Sequence, residues 1–339
     1  MSTYAISVRQ NACGFFSKPS ASVSQLWKLI VFRFTVEELQ HLSSLLKLPD
    51  PLITSGGYRS LPLESFTLLC ARLCSPEDQW SLATKYARTQ SAISQIVNET
   101  ASFINTRWDH LLRWDSQGLL SPERLQVYAR ALHNFGAPTQ SIFGFIDCTI
   151  RQTCRPVRQQ ELAYTGYKKF HGMKFQGVVT PDGLFAHLDG PYRAPQNDSG
   201  VLNGSRLLAH IEKNTIQPGS NEGDPPSHCF YQLYSDSAYS VGPYIISPYV
   251  GTDALTPQQW QWNAAMGGVH ISVEHGFGLV LQDWPYLHCV WKHKILGNAC
   301  GLMYRVAVLL TNARACIKPN QTSQRYSCPP PSIDNYFHS

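Results

Sequence analysis

The chain has no CxxC pair: its ten cysteines stand at 13, 70, 74, 148, 154, 229, 289, 300, 316 and 328. That scatter lacks the ligand spacing of a zinc finger and the motif of a thiol oxidoreductase, so reduced thiols in cores are the expected role. His288 and His293 miss metal-ligand spacing as well. No GxSxG elbow surrounds Ser199, which removes the main argument for a serine hydrolase. Only 15% of residues are charged, the net charge is +5, and no long Lys/Arg cluster occurs. Such a balance tolerates a polyanionic partner without demanding one. The opening MSTYAISVRQ lacks the basic stretch and continuous apolar core of a secretory signal, and no run reads as a membrane span. A soluble intracellular protein with no membrane partner is expected.

What is present is an apolar fraction of 43% in 339 residues, enough for two folded units with connecting segments. Residues 1–22 read as an N-terminal arm. Residues 23–140 read as an all-helical domain, because apolar positions recur at three- and four-residue steps, as in Phe66, Leu69 and Leu73, then Ile93, Ile96, Val97 and Ile104. Ser75-Pro76-Glu77-Asp78 supplies an N-cap, a first-turn proline and two acids, predicting a helix over about 76–87. A break at Arg88-Thr89-Gln90 and the periodic stretch SAISQIVNETASFI then give helix, short turn, helix, the spacing of a helix-turn-helix whose second helix enters a major groove. Lys85, Arg88 and Arg107 are the cations such a motif offers to phosphates. A packing domain with a solvated helix face carries the same residues, and both readings stand.

The texture changes near 141. SIFGFIDCTI is short, apolar and rich in β-formers, and MKFQGVVT and LFAHLDG flank the turn Pro181-Asp182-Gly183, so a strand and a hairpin are predicted. A helix over 196–213, a polar loop over 217–227 and a strand in CFYQLYSDSAY follow. This α/β domain spans 141–317. From Lys318 to 339 the chain is polar and proline-rich, which predicts a disordered tail.

Three acids in the α/β domain draw notice. Asp147 lies within an apolar strand, where a carboxylate needs compensation by a metal, a buried hydrogen bond or an opening to solvent. Asp236 closes the strand FYQLYSD, again at a carboxyl end, where open α/β sheets place ligands. Glu274 belongs to a helix started by Thr256, Pro257 and Gln259, a capping box. Its apolar stripe is Met266, Val269, Val273, Phe277 and Val280, and Glu274 lies at the stripe's margin, with His270 one turn earlier and Gly267, Gly268, Gly276 and Gly278 around it. A kinked helix with a solvated glutamate gives the same pattern. Acids on two strands and a helix suit phosphodiester chemistry, because Mg²⁺ takes hard oxygens and two such ions can clamp the attacking and leaving oxygens. Arg151, Arg155, Arg158, Lys168, Lys169 and Lys174 stand against Glu161 alone in the most basic window of the chain, which reads as a grip on the DNA backbone or as a solvated loop.

The ordered blocks FGFIDCTI, YTGYKKFHGMKFQGVVTPDGL, NDSGVL, YSDSAY with ISPY after it, VEHGFG and LLTNARACI resemble the PIF/Harbinger transposases and their domesticated relatives, over roughly residues 23–317. The resemblance implies a DDE-type nuclease with a ribonuclease H-like core, a mixed sheet flanked by helices, following an all-helical N-terminal domain. It places the metal-binding acids on Asp147, Asp236 and Glu274, with 37 residues, 237–273, between the last two. Asp198 of NDSG matches a recurring acid, and His270 stands where a basic residue, often arginine, is common. Cys148 and Ser235 stand where glycine is usual. Two divalent ions (Mg²⁺ or Mn²⁺), double-stranded DNA, a helical N-terminal part that binds DNA, a Myb-like accessory protein, a multimeric state and a nuclear place of action, with the cytoplasm also open, are further implications. In the tail, Ile333, Tyr336 and Phe337 have the spacing of a sliding-clamp-binding peptide, with Pro330 where glutamine is usual. Two functions remain: a metal-dependent endonuclease that can also transfer strands, and a non-catalytic DNA-binding or scaffold protein derived from one.

Overall fold

Among the described residues, Thr35 opens helix α1 (Val36–Leu45) with a reciprocal cap. Its hydroxyl accepts from the Glu38 N–H (3.2 Å) and the Glu38 carboxylate accepts from the Thr35 N–H (2.7 Å), satisfying donors that a helix start leaves over. The computed structural model describes residues 32–221, 223–251, 255–295, 297–318 and 320–338, without the side chains of 271–273. The arm expected over 1–22 lies outside them. The described residues form two compact units, one of 32–104 with 283–287 and one of 105–282 with 288–338.

The first unit is mainly helical, with α2 (Pro62–Cys74), α3 (Gln79–Lys85) and the first part of α4 (Gln90–Trp108). The expectation of an all-helical domain needs correction. A short antiparallel ladder joins β1 (Leu52–Ile53) to β2 (Arg59–Ser60), turned by Gly57 at φ 78°, a region that L side chains enter at a cost. Gln95 Oε1 of α4 accepts from the Gly56 N–H (2.9 Å) and Glu99 from the Ser55 N–H (2.8 Å), holding that turn in place. Helix α3 begins later than expected. Asp78, whose carboxylate accepts from the Ser81 N–H at 2.9 Å, is its cap, while Ser75 closes α2 by donating its N–H to Ala71 O (3.1 Å). Residues 86–89 then separate α3 from α4, where the Thr89 hydroxyl accepts from the Ala92 N–H (3.2 Å). The core centres on Phe34, whose ring lies 6.3 Å from both Phe66 and Trp284, with Leu39, Leu42, Leu69, Leu73, Ile93 and Ile96 buried around it. Each such side chain stabilises the unit by about 1.5–3 kcal/mol relative to exposure.

The second unit begins inside α4, at Asn105, and not at 141. Strand texture marks a change of secondary structure, not the core that a helix joins. Trp108, Leu111 and Leu112 are buried, as are Leu125, Tyr128 and Leu132 of α5 (Pro122–Phe135). Arg124 and Tyr128 of α5 both donate to Asp182 Oδ2, at 2.7 Å each.

The sheet of this unit runs in the order β6-β5-β3-β7-β8. Strands β3 (Ile142–Gln152), β5 (Phe170–Val179) and β6 (Phe185–Arg193) form an antiparallel meander with β4 (Tyr164–Thr165) on the first residues of β5; β7 (Gln232–Tyr234) and β8 (Ile245–Ile246) run parallel to β3. Residues 142–146 are buried, as a central strand covered on both faces requires. The β5–β6 turn is the predicted Pro181-Asp182-Gly183, with Gly183 at φ 78°. The helix expected over 196–213 is broken at Ser205 and Arg206 into α6 (Asp198–Gly204) and α7 (Leu207–Asn214). Helix α8 (Pro257–Asp283) carries the predicted capping box: the Thr256 N–H donates to Gln259 Oε1 (2.9 Å) and the Gln259 N–H to the Thr256 hydroxyl (3.3 Å).

Two expectations about the last third are corrected. Helix α9 (Cys300–Ile317) is long and apolar enough to cross a membrane, and 72% of it is buried inside the protein. On it Asn312 accepts from the Phe185 N–H (2.9 Å) and donates to Phe185 O (2.8 Å), completing one end of β6. The tail from 318 is folded where it is described, through α10 (Gln321–Arg325) and α11 (Ile333–Tyr336). Tyr326, Cys328, Ile333, Tyr336 and Phe337 are buried, and the Phe337 ring meets Trp108 edge-on at 4.9 Å. Average polarity hid these few anchors. The three residues spaced like a clamp-binding peptide are thus core residues, not an accessible motif.

Candidate functional site

In the parallel β3–β7 ladder Phe145 pairs with Tyr234, so two residues onward Asp147 and Asp236 come level, just past the end of β7. Asp147 is not at the end of its own strand. β3 runs on to Gln152 because β5 keeps pairing with its other edge, with Gly177 opposite Asp147. A Cβ on Gly177 would fall 2.9 Å from the Phe277 ring, so α8 packs closely on the sheet at this level, three residues after Glu274. Met266, Val269, Phe277 and Val280 are buried as the stripe predicted, and Glu274 is exposed. His270 sits between the Phe145 and Tyr234 rings at 5.9 and 5.2 Å, and its buried Nε2 has no hydrogen-bond partner.

Each strand acid is fixed through one oxygen by the backbone. Asp147 Oδ1 accepts from the Cys148 N–H (2.6 Å) and Asp236 Oδ1 from the Ala238 N–H (3.1 Å). Burial pushes Asp147 up to about 7, reinforced by Asp236, Asp198 and Glu274 and opposed by the Cys148 N–H. Asp236 is raised by burial, then by Asp198 and Glu274. His270 is lowered by burial against the pull of Glu274 and Asp236. The acids therefore share one electrostatic field. Among the described residues, however, no three or more His, Cys, Asp or Glu side chains stand within reach of one ion, so a cation would have to draw them together.

The other expected residues divide. Lys174 is only 7% exposed and its ammonium donates to Asp198 Oδ1 (2.6 Å) and Gln196 O, so it holds Asp198 and is not offered to DNA. The expectation for Lys174 is corrected: along β5 it points inward. Arg151 is half-buried, bonded to the Thr149 hydroxyl and 5.6 Å from the Tyr304 ring. Arg155, Lys168 and Lys169 are exposed. In the first unit Lys85 pairs with Glu77 (2.7 Å), and Arg88 with both oxygens of Glu64 (2.9 Å each). Ser199 donates its hydroxyl to Ala238 O (2.7 Å), which ties α6 to the loop after Asp236.

Tyr239 was not singled out by its sequence. It is 3% exposed, and its hydroxyl meets Cys148 Sγ (3.2 Å) and Gln176 Nε2 (3.3 Å). It thus joins β3, β5 and the loop behind Asp236. Ser235, fully buried, bonds to the Ser247 hydroxyl at 2.6 Å, so the usual glycine is replaced by a side chain with a partner. The final tyrosine of YSDSAY was the available signal, but spacing marked only a turn there.

Residues 146–312 match a family model described as DDE superfamily endonuclease, an interval that contains Asp147, Asp198, Asp236, His270 and Glu274. No curated protein and no solved structure matches the chain.

Proposed function

We propose that the chain, whose residues 146–312 match a family model described as DDE superfamily endonuclease, is a metal-dependent DNA endonuclease of the transposase type, with Asp147, Asp236 and Glu274 as its metal-binding acids. The carrying observation is that Asp147, level with Asp236, is driven up to about 7 by burial and by Asp236, Asp198 and Glu274. A cation relieves such a clash, and carboxylates are the donors that Mg²⁺ and Mn²⁺ take. Two divalent ions, when bound, supply Lewis-acid stabilisation of the phosphoryl group and activation of the attacking water or 3′ hydroxyl.

The chain's own residues orient that chemistry. One oxygen of Asp147 and one of Asp236 are fixed by N–H groups, leaving the second oxygen of each for the ions. Lys174 holds Asp198 in place through their ion pair (2.6 Å). His270, its charged form disfavoured by burial, keeps a buried ring nitrogen without a hydrogen-bond partner and feels the charges of Glu274 and Asp236. The mixed sheet, three antiparallel strands continued by two parallel ones, supports a ribonuclease H-like core. Double-stranded DNA as substrate, DNA contact by α3 and α4, strand transfer, a Myb-like partner, a multimer and nuclear action belong to the same reading and rest on the resemblance.

A second reading, a DNA-binding protein that has lost cleavage, is favoured by the lack, among the described residues, of any three His, Cys, Asp or Glu side chains within reach of one ion. Incubation with supercoiled plasmid separates the two. Nicking in Mg²⁺ or Mn²⁺ that vanishes in Asp147→Asn supports the nuclease, nicking that persists in the variant removes the assignment, and binding without any cutting favours the second reading.

A further inference from the structure

Strands β3 and β5 continue past the acids as an arm of the sheet, from the pair Asp147–Gly177 to the pair Gln152–Gly172, with β6 beside β5 as far as the pair Met173–Arg193, and β4 then pairs with Phe170 and His171. At ~3.3 Å per residue, the stretch from Gly177 to Phe170 puts the arm's tip about 23 Å beyond the acids. The tip is both aromatic and basic. Tyr167 is 89% exposed, with the Lys168 ammonium 5.1 Å from its ring centre. Tyr164 is also exposed, its ring 5.2 Å from that of His171. Lys169, at φ 58°, bends the chain there, and Lys168, Lys169, Arg155 and Arg158 are all exposed. A solitary exposed tyrosine needs no explanation. This one has the Lys168 ammonium against its ring, at a strand-supported tip whose neighbouring chain segments carry further exposed cations.

We propose that this tip is a stacking platform for an unpaired DNA base, with Tyr167 against the base and Lys168, Lys169, Arg155 and Arg158 on the flanking phosphates. In a continuous duplex both faces of every base are covered by neighbours, so an exposed ring gains a stacking partner only where a base is unpaired or frayed, while the cations serve any backbone. The inference rests on the nuclease reading and adds a substrate class to it: DNA with unpaired bases about seven nucleotides from the cleaved bond, at ~3.4 Å per nucleotide.

Fluorescence anisotropy of the full chain in EDTA tests this apart from cleavage. The probes are a labelled duplex interrupted by a run of unpaired thymidines, its fully paired counterpart, and the same single strand as DNA and as RNA. The wild type is expected to prefer the interrupted duplex. Tyr167→Ala should weaken that complex about 5- to 100-fold and leave the paired duplex unchanged; Tyr167→Phe should keep the preference, and Lys168→Ala should weaken both complexes. Equal binding of both duplexes by the wild type, an unchanged preference in Tyr167→Ala, or tighter binding of the RNA strand overturns the proposal. Nicking by a wild type that shows no preference would leave the nuclease standing and remove only the platform. Preference without nicking would do the reverse.

Discussion

Asp182 and Asp147 belong to the same meander and have opposite surroundings. Asp182, in the β5–β6 turn, is fully buried and accepts from Arg124 (2.7 Å), Tyr128 (2.7 Å), the Thr180 hydroxyl (2.6 Å) and the Leu184 N–H (3.3 Å). Asp147 is half-buried, accepts from the Cys148 N–H, and faces the fields of three other acids. A buried acid ringed by donors is a structural anchor. One ringed by acids is poised for a cation or a proton, and that difference, more than burial, separates a functional carboxylate from a structural one.

Exchanging each acid for its neutral counterpart is the strongest way to break this contrast. Asp236→Asn should lower DNA nicking by at least about 100-fold, since several kcal/mol of charge stabilisation go with a metal ligand, whereas Asp182→Asn should leave the activity of folded protein within a few-fold of wild type. On stability the order reverses. Asp182→Ala strands Arg124 and Tyr128 and should cost about 3 kcal/mol in urea unfolding, while Asp147→Asn in EDTA at pH 8 should raise the melting temperature by removing a repelled charge.

The pH dependence sharpens the comparison further. Asp147 is pushed up to about 7 in the folded protein from an unfolded value near 3.9, so the folded state holds its proton more tightly. The stabilisation is complete below about pH 4 and is lost as pH rises towards and through 7. Melting in EDTA should therefore fall across that window for the wild type and be flatter for Asp147→Asn, while Mn²⁺ binding should tighten over the same range. The smallest effect expected is on DNA affinity. Lys168→Ala should reduce the salt dependence of binding by about one unit of log-log slope, and Lys85→Ala by less, because Glu77 already pairs with it.

Much of the local structure around the proposed site was legible because its signals are local. Asp147 inside an apolar strand, the Thr256 capping box and the Pro181-Asp182-Gly183 turn each depend on a few adjacent residues. What was illegible depended on partners distant in sequence. Lys174 looked like one more surface cation until Asp198 lay against it, Tyr239 became a link only once β3 and β5 ran side by side, and Tyr336 and Phe337 sat in a polar tail whose composition gave no hint of the Trp108 and Asn312 contacts. Helical texture up to 140 likewise concealed that α5 belongs with the sheet.

The central claim is that Asp147, Asp236 and Glu274 draw together on divalent metal. Calorimetric titration of Mn²⁺ into the wild type and into Asp147→Asn, Asp236→Asn and Glu274→Gln tests it most directly. The account predicts saturable binding in the wild type that every one of the three substitutions weakens at least tenfold; equal binding by the wild type and the three variants, or none by a folded wild type, would contradict it.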